Sequence, residues 1–319
     1  MLTQLEKLSP FIGNTPLKEL NDLNGHFYAK LEYNNFSGSS KDRAAYSIIY
    51  NAIKDGRINE DTTVIASSSG NMAIAVAMIC KIIKINFIPV IDPNINKDYE
   101  VLLNLISQKV VKVNKRDETG GFLLTRISAV NDMCSKIKNS FYADQYCDPN
   151  NYKGYYGLGH EIISSLKELD YIFIAVSSSG SITGISRIIK AENPNVKIIG
   201  VDVKGSVIFS HFPEKRYISG IGSSQISPIM ENAIIDDFVL ISQIDVIKGC
   251  HDLLNEQLIF AGASSGAVYT AAKRYFSDNR LAESDTAVLI FPDKGSAYLD
   301  TIYNKEWEKE LCMKLKQPV

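Results

Sequence analysis

The chain has no run of about eighteen apolar residues, so no transmembrane helix is predicted. Its start, MLTQLEKLSP, has no basic stretch leading into an apolar one, so no secretory leader is expected. Blocks of one charge sign are missing too. The 34 Lys and Arg and 36 Asp and Glu alternate along the chain and leave a net charge of -2, which argues against a nucleic-acid footprint or a membrane-surface patch. The four histidines, His26, His160, His211 and His251, lack metal-ligand spacing, so no metal site is expected. Five cysteines (Cys80, Cys134, Cys147, Cys250 and Cys312) are scattered, odd in number and free of CxxC, which fits a reducing cytoplasm better than a disulfide framework. Two nucleotide signatures are also missing: GxxxxGK[ST], and GxGxxG followed by an acidic residue about twenty positions on.

What remains is ordinary globular composition, 45% hydrophobic and 22% charged, over 319 residues. That length exceeds one typical core, so one large α/β unit or two lobes is expected. Short β-rich runs at 27–33, 62–67, 86–92, 109–114, 171–177, 196–203, 238–242 and 287–293 alternate with amphipathic stretches at 41–55, 71–83, 121–138, 156–169, 181–192, 244–256 and 265–276. Val- and Ile-rich strands separated by helix-length crossovers predict parallel sheets covered on both faces. The stretch 71–83, NMAIAVAMICKII, is apolar almost all round and is predicted to be buried. The polar, turn-rich segment 143–155 reads as a boundary between two lobes, with the first segment of the chain returning to the second lobe.

Four times a strand candidate or its near equivalent runs into a Ser/Gly cluster that opens a helix: SGSSKD at 37–42, SSSGN at 67–71, SSSGS at 177–181 and GASSG at 262–266. Helix N-termini present unpaired N–H groups and partial positive charge, serine adds donors, and glycine allows close backbone approach. In open α/β sheets such turns, at strand C-termini, are where ligands sit. One cluster alone is commonly just a helix cap. Four in one chain predict one or two small anionic ligands. Lys41 stands inside the first turn, where it is either a counter-charge for a phosphate or, if desolvated, a nucleophile for an aldehyde.

GNTPL at 13–17, KLEYNNFSGSSKDR at 30–43, SSSGNMAIAVA at 67–77, SSSGSITGIS at 177–186 and AGASSGAV at 261–268 follow one another over nearly the whole chain. In that order they resemble the fold-type II pyridoxal-phosphate enzymes, the group of O-acetylserine sulfhydrylase, cystathionine β-synthase and the tryptophan synthase β-subunit. The resemblance implies a two-lobed α/β fold, with residues 1–36 and 146–319 forming a larger cofactor-binding domain and 37–145 a smaller mobile substrate domain. It implies pyridoxal 5'-phosphate as cofactor, held as a Schiff base by Lys41, which also serves as base for the α-proton. Ser177, Ser178, Ser179, Gly180 and Ser181 match the phosphate cradle, and Ser264 the partner of the pyridine nitrogen. Ser68, Ser69, Asn71 and Met72 lie in the substrate-carboxylate loop, which Gln145 assists, and Asn71 also meets the cofactor's 3' oxygen. A neutral serine opposite the ring nitrogen suits β-elimination and β-replacement.

Departures from the sulfhydrylase pattern narrow the expectation. The cradle is SSSGS where those enzymes have GTGGT, and the substrate loop begins SSSGN, with Met72 replacing a threonine. TGGFLLTRI at 119–127, DQYCD at 144–148 and the segment 205–224 are closer to N-(2-amino-2-carboxyethyl)-L-glutamate synthase of the siderophore-type 2,3-diaminopropionate pathway. That resemblance implies O-phospho-L-serine and L-glutamate as substrates, joined through an α-aminoacrylate by a homodimeric enzyme. Cysteine synthase and a hydrogen sulfide-releasing cysteine lyase are the alternatives. Arg126 is either a partner for a substrate phosphate or carboxylate or a solvated helix-face charge, and Tyr146 either bonds substrate or packs beside the ring.

Overall fold

The computed structural model describes residues 1–21, 25–210, 212–278, 280 and 282–316, so His211 lies outside the described residues. Among the described residues ten strands form two sheets. The strands are β1 (Leu17–Glu19), β2 (His26–Leu31), β3 (Thr63–Ser67), β4 (Asn86–Ile91), β5 (Val111–Lys112), β6 (Ser140–Tyr142), β7 (Tyr171–Ala175), β8 (Lys197–Val203), β9 (Asp237–Ile241) and β10 (Thr286–Phe291). The larger sheet runs β1-β2-β10-β7-β8-β9 and the smaller β5-β4-β3-β6. Every pairing is parallel except β1 with β2. The expectation of parallel sheets therefore fails only at one edge, where a short connection lets β2 fold straight back on β1.

Central strands are buried along their whole length, as continuous apolar runs require: TVIAS in β3 and TAVLIF in β10 show no exposed position. The helix Asn71–Ile83 forms over the predicted residues, and its small and β-branched side chains are buried against the core beneath the smaller sheet. Helices Lys41–Lys54, Gly180–Glu192 and Ala263–Ser277 likewise begin at the Ser/Gly turns. Unpredicted elements are β1, β6 and the helices Leu2–Glu6, Lys97–Ile106, Pro149–Lys153 and Lys305–Lys316. The turn-rich segment 143–155 contains the short helix Pro149–Lys153, started by Asp148, whose side chain accepts from the Asn150 N–H. No helix among the described residues is long and apolar enough to cross a membrane.

Candidate active site

One cavity of about 1310 Å³ collects residues from all four Ser/Gly turns, among them Lys41, Asn71, Ser179 and Ser264. Segments distant in sequence meet there because parallel strands all point their C-terminal ends one way.

The first turn is pinned from both sides of Lys41. Ser39 bridges to Asp293, and the Ser40 N–H donates to Pro292 O at 2.8 Å, so the turn is stitched to the end of β10. Gly38 takes φ +93°, which a side chain would resist. Asp42 accepts from the Ser37 N–H at 2.8 Å, and burial pushes its carboxyl up to about 6 although bonds from Ser37 and Ser39 oppose this. Arg43 is buried in bonds to Glu32 and Glu161. Successive helix residues point about 100° apart. With Asp42 and Arg43 anchored, Lys41 is left to line the cavity, and its Nζ has no hydrogen-bond or ion-pair partner among the described residues.

At the second turn, Asn71 is held at both ends of its amide. Its Nδ2 donates to Asp293 Oδ2 at 2.8 Å, while Tyr99 donates its hydroxyl to Asn71 Oδ1 at 2.7 Å. The Tyr298 hydroxyl also donates to Asp293 Oδ2, at 2.9 Å. Burial pushes the Asp293 carboxyl up, while the bonds from Asn71 and Tyr298 and the charge of Lys41 pull it down. Ser68 turns its hydroxyl to the Gly70 N–H. Ser69 donates to Asp92 Oδ2 at 2.7 Å and accepts from Arg126 at 3.0 Å, so its main chain is left for a ligand. Met72 lines the cavity, but its side chain is buried in the core. Gln145 donates to Ser67 O at 3.1 Å, tying it to the end of β3.

Arg126 is neither a solvated helix-face charge nor a free cation. Its side chain is only 12% exposed and its Nη1 sits 3.0 Å from Asp92, leaving Nε buried without a partner. Tyr146 lines the cavity too. Burial pushes its phenol up, and the nearby charges of Arg126 and Arg216 work against that shift.

The third turn has a strained residue at its centre. Ser179 takes φ +67° at the start of helix Gly180–Glu192, and its buried Oγ has no partner among the described residues. Ser177 donates to Gly222 O at 3.0 Å, and Ser178 and Ser181 complete the wall. Gly180 does not line the cavity: a Cβ there would lie 2.1 Å from Asn151 Oδ1, so glycine is required for packing. At the fourth turn Ser264 lines the cavity, and its hydroxyl donates to Gly220 O at 2.9 Å.

These residues fit pyridoxal phosphate. The left-handed serine at a helix start, with an orphaned buried hydroxyl, forms an N–H- and O–H-lined cradle of the kind a phosphate fills. An unpaired lysine stands in the same cavity with a serine hydroxyl and a clamped amide.

Asp92, Asp293, Tyr99, Tyr298 and Arg216 were missed in the sequence. Both acids close strand candidates, NFIPVID and AVLIFPD, and acids at strand C-termini face the ligand side of such sheets. That signal was available; the tyrosines and Arg216 carried none.

Comparison with known proteins agrees with this geometry. An O-acetylserine dependent cystathionine β-synthase from Helicobacter pylori is similar at 29% identity and TM-score 0.85, over 93% of this chain and 98% of that one. A hydrogen sulfide-producing enzyme from Fusobacterium nucleatum is similar at 27% identity and TM-score 0.85, over 92% and 99%. An O-ureido-L-serine synthase shares the fold at 23% identity and TM-score 0.86, over 93% and 95%. The pattern of the family described as "Pyridoxal-phosphate dependent enzyme" matches residues 8–293, and the chain, with its cavity built for that cofactor, belongs to this family of enzymes.

Proposed function

We propose that the enzyme performs β-replacement on O-phospho-L-serine, with the amino group of L-glutamate as nucleophile, giving N-(2-amino-2-carboxyethyl)-L-glutamate and phosphate. The Cβ–O bond breaks as phosphate leaves, a Cβ–N bond forms, and the proton lifted from Cα is returned there while the amine gives one up. The bound cofactor supplies the electron withdrawal that makes the Cα proton removable. Lys41 is the group that bonds the cofactor and moves that proton. The turn 68–72 and Gln145 hold the α-carboxylate, Asn71 orients the ring, and Ser177, Ser178, Ser179 and Ser181 hold its phosphate and Ser264 its nitrogen.

The observation that carries this reading is the cavity. At about 1310 Å³ it is larger than a typical small-ligand cleft, and of its cations Lys41 and Arg216 have no carboxylate in contact among the described residues, a setting for anionic substrates. The reading includes a homodimer in the cytoplasm, and residues 37–145 as a smaller lobe that closes over substrate.

A second reading keeps the same donor chemistry but uses or releases sulfide, as cysteine synthase or cysteine lyase. Similarity to a hydrogen sulfide-producing enzyme favours it. Purified enzyme given O-phospho-L-serine and L-glutamate is expected to yield the adduct by mass spectrometry. No adduct, with rapid cysteine formation from O-acetylserine and sulfide, rules out the leading reading.

A further inference from the structure

The segment 205–224 follows β8 and forms part of the cavity wall contributed by the larger sheet. Its residues 205–207 and 216–224 are tied to each other and to the end of β7. The Val207 N–H donates to Ser223 O at 3.0 Å, the Ser223 N–H to Ser206 Oγ at 3.0 Å, and the Gly222 N–H to Val176 O at 2.8 Å. Arg216 is held within this fold. Its Nη2 donates to Ser224 Oγ at 2.9 Å and its Nη1 to Ile221 O at 3.3 Å. The guanidinium lies on Gly222, where φ is +74° and a Cβ would come within 2.9 Å of Nη1. Two of five N–H donors are thereby used, and the planar fork is fixed in position.

Arg216 is half-buried, and its charge, unlike those of Arg43 and Arg126, is unanswered by contact. Arg43 has Glu32 and Glu161, and Arg126 has Asp92. Among the described residues no carboxylate lies within 4.0 Å of Arg216. Asp202, buried and with Oδ2 unpartnered among the described residues, acts on it only through space. Burial pulls the guanidinium pKa down, the mark of a desolvated cation. Such a group is costly in the free protein, and an anionic ligand removes the cost. The turn proposed to hold the donor's α-carboxylate, 68–72, follows β3 of the smaller sheet, whereas Arg216 follows β8 of the larger sheet.

We propose that Arg216 is the receptor for a second substrate oxyanion, distinct from the donor's α-carboxylate, and that it selects reaction partners carrying such an oxyanion over those without one. The inference rests on the β-replacement reading. One chemistry, a bidentate oxyanion, has two sources there: the phosphate of the donor and a carboxylate of the acceptor.

The test pairs two donors, O-phospho-L-serine and O-acetyl-L-serine, with three acceptors, sulfide, L-homocysteine and L-glutamate, in wild type, Arg216→Gln and Arg216→Lys holoenzymes. The Gln variant is expected to raise KM for the partner carrying the oxyanion by about 10- to 100-fold more than for O-acetyl-L-serine and sulfide. The Lys variant should restore part of the difference. A loss tied to O-phospho-L-serine assigns the site to the leaving group, and one tied to homocysteine or glutamate assigns it to the acceptor. Equal losses on every pair, no loss on any, or a wild type that rejects every charged partner overturns the proposal. If glutamate fails as acceptor while homocysteine shows the selective loss, the function proposed above is wrong and Arg216 still stands. Thermal unfolding and the visible absorption of the bound cofactor show whether the variants are folded and loaded.

Discussion

Asn71 and Asp293, 222 positions apart in the chain, meet through a 2.8 Å hydrogen bond from Nδ2 to Oδ2. The bond joins the helix that follows β3 of the smaller sheet to the end of β10 in the larger one. Asp293 also bridges by backbone to Ser39, beside Lys41, and its O accepts from the Gly262 N–H at 3.0 Å, beside Ser264. One residue thus links three of the four turns. Asp293→Ala would leave the Asn71 amide short of an acceptor and the buried Tyr298 hydroxyl without a partner. A loss of about 2–4 kcal/mol in urea unfolding is expected, together with reduced turnover. Full retention of both would show that the clamp has no role.

Lys41→Ala should abolish turnover and the visible absorption of the cofactor while leaving the circular dichroism unchanged. The Lys41 side chain makes no hydrogen bond or ion pair among the described residues, and Asp42 and Arg43 hold its turn without it. Retained β-replacement would refute the assignment of Lys41.

Arg126 and Asp92 form a buried pair, with side chains 12% and 7% exposed. Removing one charge strands the other, so Arg126→Gln should destabilise the fold by about 3 kcal/mol. The double variant with Asp92→Asn should recover much of that stability, because neither charge then remains buried. Both measurements come from denaturant titrations, and an additive double variant would contradict the pairing.

Gly180→Ala places a Cβ 2.1 Å from Asn151 Oδ1, and Asn151 in turn supports the Gln145 carbonyl. Overpacking of this kind costs about 1–3 kcal/mol. Melting temperature should fall, and cofactor should dissociate more readily on dialysis. Unchanged values for both would mean that the turn can yield.

Glu161 titrates at about 2 in the folded protein: desolvation raises it, but bonds and charge from Arg43 and a bond from Lys30 outweigh that and bring it below the usual 4.5. A carboxyl lowered on folding stabilises above its unfolded pKa, and that contribution, on the order of 3 kcal/mol, is lost as pH falls from about 4.5 to about 2. Glu161→Gln should therefore flatten the acid limb of the stability curve in that window. An unchanged acid limb in the variant would remove Glu161 as its cause.

Much of this protein was determined by sequence alone. The Val- and Ile-rich strands, helix-length crossovers and Ser/Gly turns dictate parallel sheets and helix N-termini that gather anions, because these follow from local periodicity and backbone chemistry. The helix 71–83 and the turns at Lys41, Asn71, Ser179 and Ser264 were legible for that reason. Partnerships were not. Tertiary structure decided that Arg126 is spent on Asp92, that Asp293 clamps Asn71, and that Arg216 is left with no carboxylate in contact. A residue's type states which bonds it is able to make. Only the packing of distant strand ends into one desolvated cavity decides which bonds are already made within the protein and which remain for a substrate.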